Sequence, residues 1–402
     1  MNIMKSERVQ ANWTSHPSGP GIIDLGIIGG GPAGSMAAFQ AARRGLRVVV
    51  WERDRFPRDK VCGEFLSPES MPLLSEIIPN TLRHAAIIRR AEFYSRKGRT
   101  FSICFPQPGC GLSRTVLDSA LWRAAQAVGA DCREMEGVRG LGRKHHQSAN
   151  PAAWEVFSCI GAYEVRRLLV ACGRWWKLEG LYSPADSTNS GRAGKWMGAK
   201  AHFQGIATQD CVELYFFPGG YCGLAPIEKG LCNVCCLVHC SITREHGGAE
   251  MSDFATWLNR IARHPALESR LRGAVQMTET LTTAPVRPAR RSAEEAGALF
   301  VGDAAGFLDP FTGDGISMAL HSGRLAAEEL TATGSLEPPG TVGRRYRQKL
   351  QRSVGRNYAI AALLRGIVCL PAEFQNWVTA LMPVELGLRL LRETRWRMPA
   401  AF

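Results

Sequence analysis

Two glycine-rich stretches, far apart in the chain, have the residue types needed to bind phosphate groups. The first, Gly29 to Gly34, has the spacing G-x-G-x-x-G, and the second, Gly302 to Gly315, contains two Gly-Asp pairs. A glycine loop between a strand and a helix lets the backbone approach a phosphate, which then meets the unpaired N–H groups of the helix start. Two such stretches in one chain raise the question of whether they bind one ligand.

The elements around the first stretch predict a dinucleotide-binding unit. Ile22 to Ile28 is typical of a buried strand, Ala33 to Arg44 of a helix and Arg47 to Trp51 of a second strand. The acid that follows this strand can accept hydrogen bonds from a ribose. This motif alone does not separate NAD from FAD. The cofactor-binding residues predicted here are Gly29, Gly31, Ala33, Gly34, Glu52 and Arg53.

The second stretch favours FAD, because the flavin end of that longer molecule needs its own binding loop. A strand ending at Gly302 would bring the Asp303 carboxylate to the ribityl or pyrophosphate region. The next helix would start close to the flavin and direct its positive dipole end at the ring edge where negative charge gathers on reduction. The cofactor-binding residues predicted here are Gly302, Asp303, Gly313, Gly315 and Ile316.

With these motifs the chain resembles the FAD-dependent oxidoreductase superfamily of aromatic hydroxylases, geranylgeranyl reductases and flavin halogenases, from Ile22 to about Leu330. The resemblance implies that Asp303 binds the ribityl chain and that Arg114, in GLSRTVLD, reaches the pyrophosphate. Cys62-Gly63-Glu64 resembles a segment near the flavin in the geranylgeranyl reductase branch, and Gly220-Tyr221 with Pro226 resembles its GY…P pattern. Cys62 and Tyr221 are therefore the candidate catalytic residues.

The resemblance leaves three functions open. The favoured one is an NAD(P)H-dependent monooxygenase, a hydroxylase of a lipophilic or aromatic small molecule. The alternative is a reductase of carbon–carbon double bonds in an isoprenoid or polyene, and the third is a non-catalytic flavin-binding protein. Cys172-Gly173-Arg174 stands where the family often has an Asp-Gly motif. Since there is no second G-x-G-x-x-G, NAD(P)H is expected to bind only transiently.

Composition limits the partners and the compartment. The 13 scattered cysteines predict reduced thiols and a cytoplasmic protein. In CNVCCLVHC, Cys232 to Cys240, strand alternation separates the cysteines onto two faces, so no metal site is predicted. The net charge of +13 is concentrated after Thr341, where 11 basic residues face 3 acidic ones. We expect no nucleic acid partner, and peripheral membrane contact through this basic C-terminal region is an open alternative.

The predicted fold is α/β. It combines a Rossmann-like FAD-binding domain with an inserted, mostly antiparallel β substrate domain and a helical C-terminus. The FAD-binding domain is predicted to be discontinuous, at 22–90, 111–185 and 285–340, and the substrate domain to comprise 91–110 and 186–284. Residues 1–21 are expected to form a disordered tail and 341–402 a helical region whose apolar groups cover the substrate domain or rest on a membrane.

Overall fold

The computed structural model describes residues 23–96, 98–144, 153–174, 178, 181, 196–245, 253–332, 339–354, 357–358, 360–361 and 395–396. The predicted N-terminal tail and the apolar residues at 363–382 of the predicted C-terminal helical region lie outside these described residues. The strands are β1 Ile23–Ile28, β2 Val48–Trp51, β3 Phe65–Leu66, β4 Ala86–Ser95, β5 Gly98–Gly111, β6 Asp131–Arg133, β7 Val138–Lys144, β8 Ala153–Ser158, β9 Ala162–Val170, β10 Trp196–Gln204, β11 Cys211–Phe217, β12 Gly220–Pro226, β13 Cys232–His239, β14 Val275–Gln276, β15 Leu281–Thr283, β16 Ala289–Arg290, β17 Glu294–Glu295, β18 Ala298–Phe300 and β19 Gly306–Phe307.

The described helices are fewer and vary widely in length. They are α1 Pro32–Ala42, α2 Met71–Ile77, α3 Pro79–Leu82, α4 Arg114–Ala127, α5 Cys240–Glu245, α6 Phe254–Ala262, α7 Pro265–Leu271, α8 Gly315–Ala332 and α9 Pro339–Val354. Among these described helices, none is both long and apolar enough to cross a membrane.

The first sheet has a parallel centre in the order β18-β9-β1-β2-β6, with β17, β7 and β8 added antiparallel. Val48 to Trp51 is buried throughout, as expected for a strand of a parallel sheet that is covered on both faces. Helix α1 packs between the sheet and α8, and this contact is very close at Gly323, where a β-carbon would overlap the carbonyl of Ala33. The predicted strand–helix–strand unit at the start of the chain is present, with its helix two residues shorter than expected at the C-terminal end.

The second sheet is built mostly from antiparallel pairs, in the order β14-β10-β13-β12-β11-β4-β5-β3, and β15 also pairs with β10. Strands β11 and β4 are the parallel exception. In β11 buried residues alternate with half-buried ones, so one face of the sheet covers its own hydrophobic core. Helices α6 and α7 close that core through Phe254, Leu258 and Leu267.

The α/β class predicted from the sequence is confirmed, and two sheets of different type account for it. Strand β10 lies within the range 186–284 that was predicted for the antiparallel substrate domain. Strands β3 and β4 belong to the second sheet, although the predicted division assigned 22–90 to the FAD-binding domain. The domain boundaries therefore remain a prediction, and the chain crosses between the two sheets earlier than the predicted boundary.

Candidate active site

The two glycine stretches meet at one end of the first sheet. Strand β1 pairs with β9 and β9 pairs with β18, both in parallel, so the loops after β1 and β18 leave the same edge. A β-carbon placed at Gly302 would lie 3.1 Å from the β-carbon of Ala33. Gly302 has φ +57, a left-handed conformation that favours glycine. Although 267 residues lie between Gly34 and Gly302 in the sequence, the two loops thus belong to one site.

The first loop is open to a ligand on one side and tightly packed on the other. Gly29 has φ +103, and a β-carbon at Gly34 would overlap the carbonyl of Gly29. A β-carbon at Gly31, by contrast, would meet only Arg58 Nη2, at 3.9 Å. Gly31 is the N-cap of α1, and no described side chain caps this helix. Its first-turn N–H groups are therefore free of side-chain acceptors and suit an anion.

Carboxylates and arginines form a buried network beside this loop. Glu52 is 6% exposed and accepts from Gly30 N–H at 2.9 Å and from Arg58 Nη2 at 3.1 Å. Asp118 of α4, which is fully buried, accepts from Arg58 Nη1 at 2.7 Å and from Arg114 at 2.7 and 2.8 Å. Predicted residue Arg114 therefore lies in this network, together with Arg58. Predicted residue Arg53 is exposed and lies 3.7 Å from Asp54.

Asp303 faces several positive charges. Burial raises the pKa of its carboxyl group, and nearby Arg174, Arg114 and Arg291 oppose that shift. Arg114 lies on α4 and Asp303 follows β18. The structure therefore brings together the residue predicted to reach the pyrophosphate and the residue predicted to bind the ribityl chain. Arg174 belongs to the Cys-Gly-Arg segment that replaces the family's Asp-Gly pair, so this departure adds a cation next to Asp303.

The second loop leads into α8. Gly313 has φ +64 and ends a 3₁₀ turn at Pro310–Thr312, Gly315 begins the helix, and Ile316 is buried in its first turn. Asp314 between the two glycines is fully buried; its Oδ1 accepts from Ser67 Oγ at 3.1 Å, and Arg395 Nη1 lies 3.4 Å away. Its other oxygen has no hydrogen-bond partner among the described residues.

An aromatic cluster, which we call the aromatic wall, lies between the second sheet and the turn before α8. It consists of Phe216 of β11, Tyr221 of β12 and Phe311 of the turn. The rings of Tyr221 and Phe216 lie 5.6 and 5.7 Å from that of Phe311. Burial raises the pKa of Tyr221 well above its ordinary value, so its hydroxyl stays protonated. This wall is apolar and continuous across the two parts of the structure.

Cys62 lies in a loop held by the second sheet. Its carbonyl accepts from Asn233 Nδ2 of β13 at 3.0 Å, and Glu64 N–H donates to its sulfur at 3.4 Å. Burial raises the pKa of the Cys62 thiol, although Arg114 opposes this. The thiol is therefore the form present at neutral pH.

Three donor groups in the same loop region could in principle hold a metal ion. Ligand atoms of Asp59, Glu64 and His202 lie within 4.8 Å of one another. Lys200 Nζ is 2.7 Å from Asp59 Oδ1 and 2.5 Å from Glu64 Oε1. Because this ammonium group already pairs with both carboxylates from within the cluster, a divalent ion would meet a positive charge there.

Comparison with known proteins agrees with this geometry. The model of the FAD dependent oxidoreductase family matches residues 24–57. Digeranylgeranylglycerophospholipid reductase 2 of Methanopyrus kandleri is 29% identical over 349 residues, 84% of each chain. Menaquinone reductase of Mycobacterium tuberculosis is 25% identical over 87% of this chain and 84% of its own. The chain fits the FAD-dependent oxidoreductase superfamily.

Solved structures of this superfamily have the same fold. A flavin-dependent brominase superposes with a TM-score of 0.74 at 19% identity, covering 94% of this chain and 95% of its own. A geranylgeranyl bacteriochlorophyll reductase-like protein from Thermoplasma acidophilum gives 0.71 at 21%, covering 92% and 96%. FAD is the cofactor that the matching family model names, and the open face at Gly31 and the uncapped start of α1 fit its pyrophosphate.

The sequence did not predict a role for several residues of this flavoprotein site. Glu64, Lys200 and His202 are buried and ionisable, and Glu228 accepts from Ser113 N–H at the start of α4. One signal was available: in the strand Trp196–Gln204, Lys200 lies between two alanines and shares a face with His202. A lysine on a buried strand needs a partner, but nothing in the sequence says which carboxylate it meets.

Asp314 gives the flavoprotein a pH-dependent stability. Burial raises its pKa from 3.8 to about 6, with Arg395 lowering it, so the folded state binds this proton more tightly than the unfolded state does. The contribution to the free energy of unfolding therefore falls as the pH rises from about 4 to about 6. We expect Asp314→Asn to be more stable than the wild type at pH 7, by about 1–3 kcal/mol, and to lose this advantage at pH 4.

Urea unfolding at both pH values measures the effect. Glu268→Gln, at an exposed position of α7, serves as the control and should show no such difference. An Asp314→Asn protein less stable than the wild type at pH 7 would mean that the ionised carboxylate is needed for its contact with Arg395.

Proposed function

We propose that the protein is an FAD-dependent reductase of carbon–carbon double bonds in an isoprenoid chain. The observation that carries the proposal is the aromatic wall of Phe216, Tyr221 and Phe311, which joins the second sheet to the turn before α8. Apolar and aromatic walls suit a hydrocarbon ligand. Relatives named for the reduction of digeranylgeranylglycerophospholipid and menaquinone, similar over most of the chain, support the same substrate class.

The residues of this chain would divide the work of binding and proton supply. Phe216 and Phe311 would hold the hydrocarbon, and the Tyr221 ring would orient it. FAD held by the two glycine loops would supply the hydride chemistry, with NAD(P)H as the transient electron donor. Reduction of a double bond also takes one proton. We assign its source to Sγ of Cys62, whose thiol burial keeps protonated, and the thiolate left behind would take a proton back from water.

A second candidate is an oxygen-dependent reaction, as in the hydroxylase function favoured in the sequence analysis. Similarity to the flavin-dependent halogenase armH1 of Armillaria mellea, 26% identical over 78% of this chain, supports it. Such a reaction consumes molecular oxygen, whereas a reductase works without it. The two candidates therefore differ in whether the reaction needs molecular oxygen.

Turnover without oxygen tests the proposal. With NADPH in an anaerobic chamber, we expect a geranylgeranylated lipid or a menaquinone to gain one pair of hydrogens for each reduced bond, measured by mass spectrometry. Tyr221→Ala should lower the rate at least about tenfold, which is about 1.4 kcal/mol, because the ring is lost from the wall. Tyr221→Phe keeps the ring and is the matched control, so it should retain most of the rate.

The opposite result would be equally clear. A protein that oxidises NADPH and modifies such a lipid only in air, with oxygen incorporated into the product, would favour the second candidate.

A further inference from the structure

Glu64 is an unusual residue in the loop between β2 and β3. Its side chain is fully buried, and its backbone has φ +56, in the left-handed region. A residue other than glycine keeps such a conformation only where its surroundings hold it there. The contacts of its carboxylate, which come from both parts of the structure, supply that constraint.

Two of these contacts come from β10 of the second sheet. Lys200 Nζ lies 2.5 Å from Glu64 Oε1, and His202 Nε2 lies 2.7 Å from Oε2. Lys200 is fully buried and also bonds Asp59 at 2.7 Å. In the register of the sheet, Lys200 is opposite Cys235 and His202 is opposite Asn233 of β13. Polar side chains on one face of the second sheet thus hold the loop that contains Glu64.

The third contact comes from α4. The backbone N–H of Arg114 donates to Glu64 Oε1 at 2.7 Å, which places a carboxylate at the positive end of the helix. The same oxygen therefore binds Lys200 and fixes the residue whose guanidinium joins Asp118 and lies near Asp303. A displacement of Lys200 would therefore change the position of Arg114 through one shared atom, Glu64 Oε1.

We propose that Glu64 is a positioning residue that couples β10 to Arg114 and thereby sets the affinity for FAD. Lys200 and His202 hold the carboxylate from the side of the second sheet, and the carboxylate holds the start of α4. The inference concerns cofactor binding alone and does not depend on which reaction the flavin carries out. Its failure and the failure of the proposed reductase function are therefore separate results.

The charges predict how the effects of single variants on FAD affinity should combine in a double variant. Glu64→Gln leaves the Lys200 ammonium with Asp59 as its remaining carboxylate, and Lys200→Met leaves the Glu64 carboxylate without a permanent cation. Each single change breaks a buried pair, while the double change removes both charges together. The effects of two residues that act through one contact do not add.

FAD titration of the full-length protein, stripped of its cofactor, provides the test. Quenching of flavin fluorescence gives the dissociation constant, and thermal unfolding without FAD reports the fold. We expect Glu64→Gln and Lys200→Met each to raise the dissociation constant about tenfold. The double variant should be no weaker than the weaker single variant.

Glu228 offers a matched comparison at the same helix start. It is buried and accepts from Ser113 N–H at 2.8 Å and from Ser113 Oγ at 2.5 Å, whereas Lys200 bonds Glu64 and Asp59. The losses of FAD affinity caused by Glu228→Gln and by Lys200→Met should therefore add. Glu268→Gln on α7 should leave the dissociation constant unchanged.

Two results would overturn the coupling. One is a folded Lys200→Met protein that binds FAD within about threefold of the wild type. The other is full additivity of Glu64→Gln and Lys200→Met. If Glu64→Gln does not fold, Lys200→Met decides alone: a loss of FAD affinity above about threefold supports the coupling, and a smaller loss overturns it.

Discussion

Gly31→Val is expected to leave the protein folded but unable to hold FAD. A β-carbon at this position meets only the tip of Arg58, at 3.9 Å, and the backbone has φ −72, which every residue adopts easily. The protein itself therefore has room for a side chain. That side chain would occupy the face by which the second glycine of a G-x-G-x-x-G loop approaches the pyrophosphate. We expect the affinity to fall at least about 100-fold, or about 2.7 kcal/mol.

Equilibrium dialysis or fluorescence quenching with FAD measures this loss, and far-UV circular dichroism checks the fold. Gly340→Val is the matched control, since a β-carbon there meets nothing within 4 Å and the residue lies at the start of α9, away from the loop. It should bind FAD like the wild type. A Gly31→Val protein that is still yellow after purification would place the pyrophosphate elsewhere.

The sequence was sufficient to predict the first loop because each of its parts has a local cause. The strand before Gly29 is apolar, the glycines have the spacing of a tight turn and the helix begins with proline. These signals depend on residues that are neighbours in the chain. The α/β class follows from them, and FAD follows from adding the second glycine stretch after β18.

The partners of distant charged residues could not be predicted in this way. Glu64 and Lys200 are 136 residues apart and meet only because β10 packs over the loop after β2. Arg58 likewise has no neighbour in sequence that identifies its partners, yet it bridges Glu52 and Asp118. Such pairs depend on how two sheets are placed against each other, and hydrophobic periodicity does not encode that placement.

Asp118 forms ion pairs with two guanidinium groups, so removing its charge is expected to give the second large effect. Its carboxylate is fully buried and bonds both Arg58 and Arg114, whose side chains are only 9% and 14% exposed. Asp118→Asn keeps the shape but leaves these cations without this charge. We expect the cofactor-free protein to lose about 3 kcal/mol of unfolding free energy. Asp131→Asn, at an exposed ion pair with Arg133, should lose less than about 1 kcal/mol.

FAD should reverse much of this loss, because its pyrophosphate brings negative charge to the cations that Asp118 had neutralised. A ligand stabilises the folded state in proportion to the logarithm of its concentration over its dissociation constant. The rise in melting temperature on adding saturating FAD should therefore be larger in Asp118→Asn than in the wild type. Differential scanning fluorimetry at matched FAD concentrations measures both values. A smaller rise in the variant would mean that Asp118 orients Arg114 for the cofactor. That orientation would then contribute more to FAD affinity than the positive charge that Asp118 offsets.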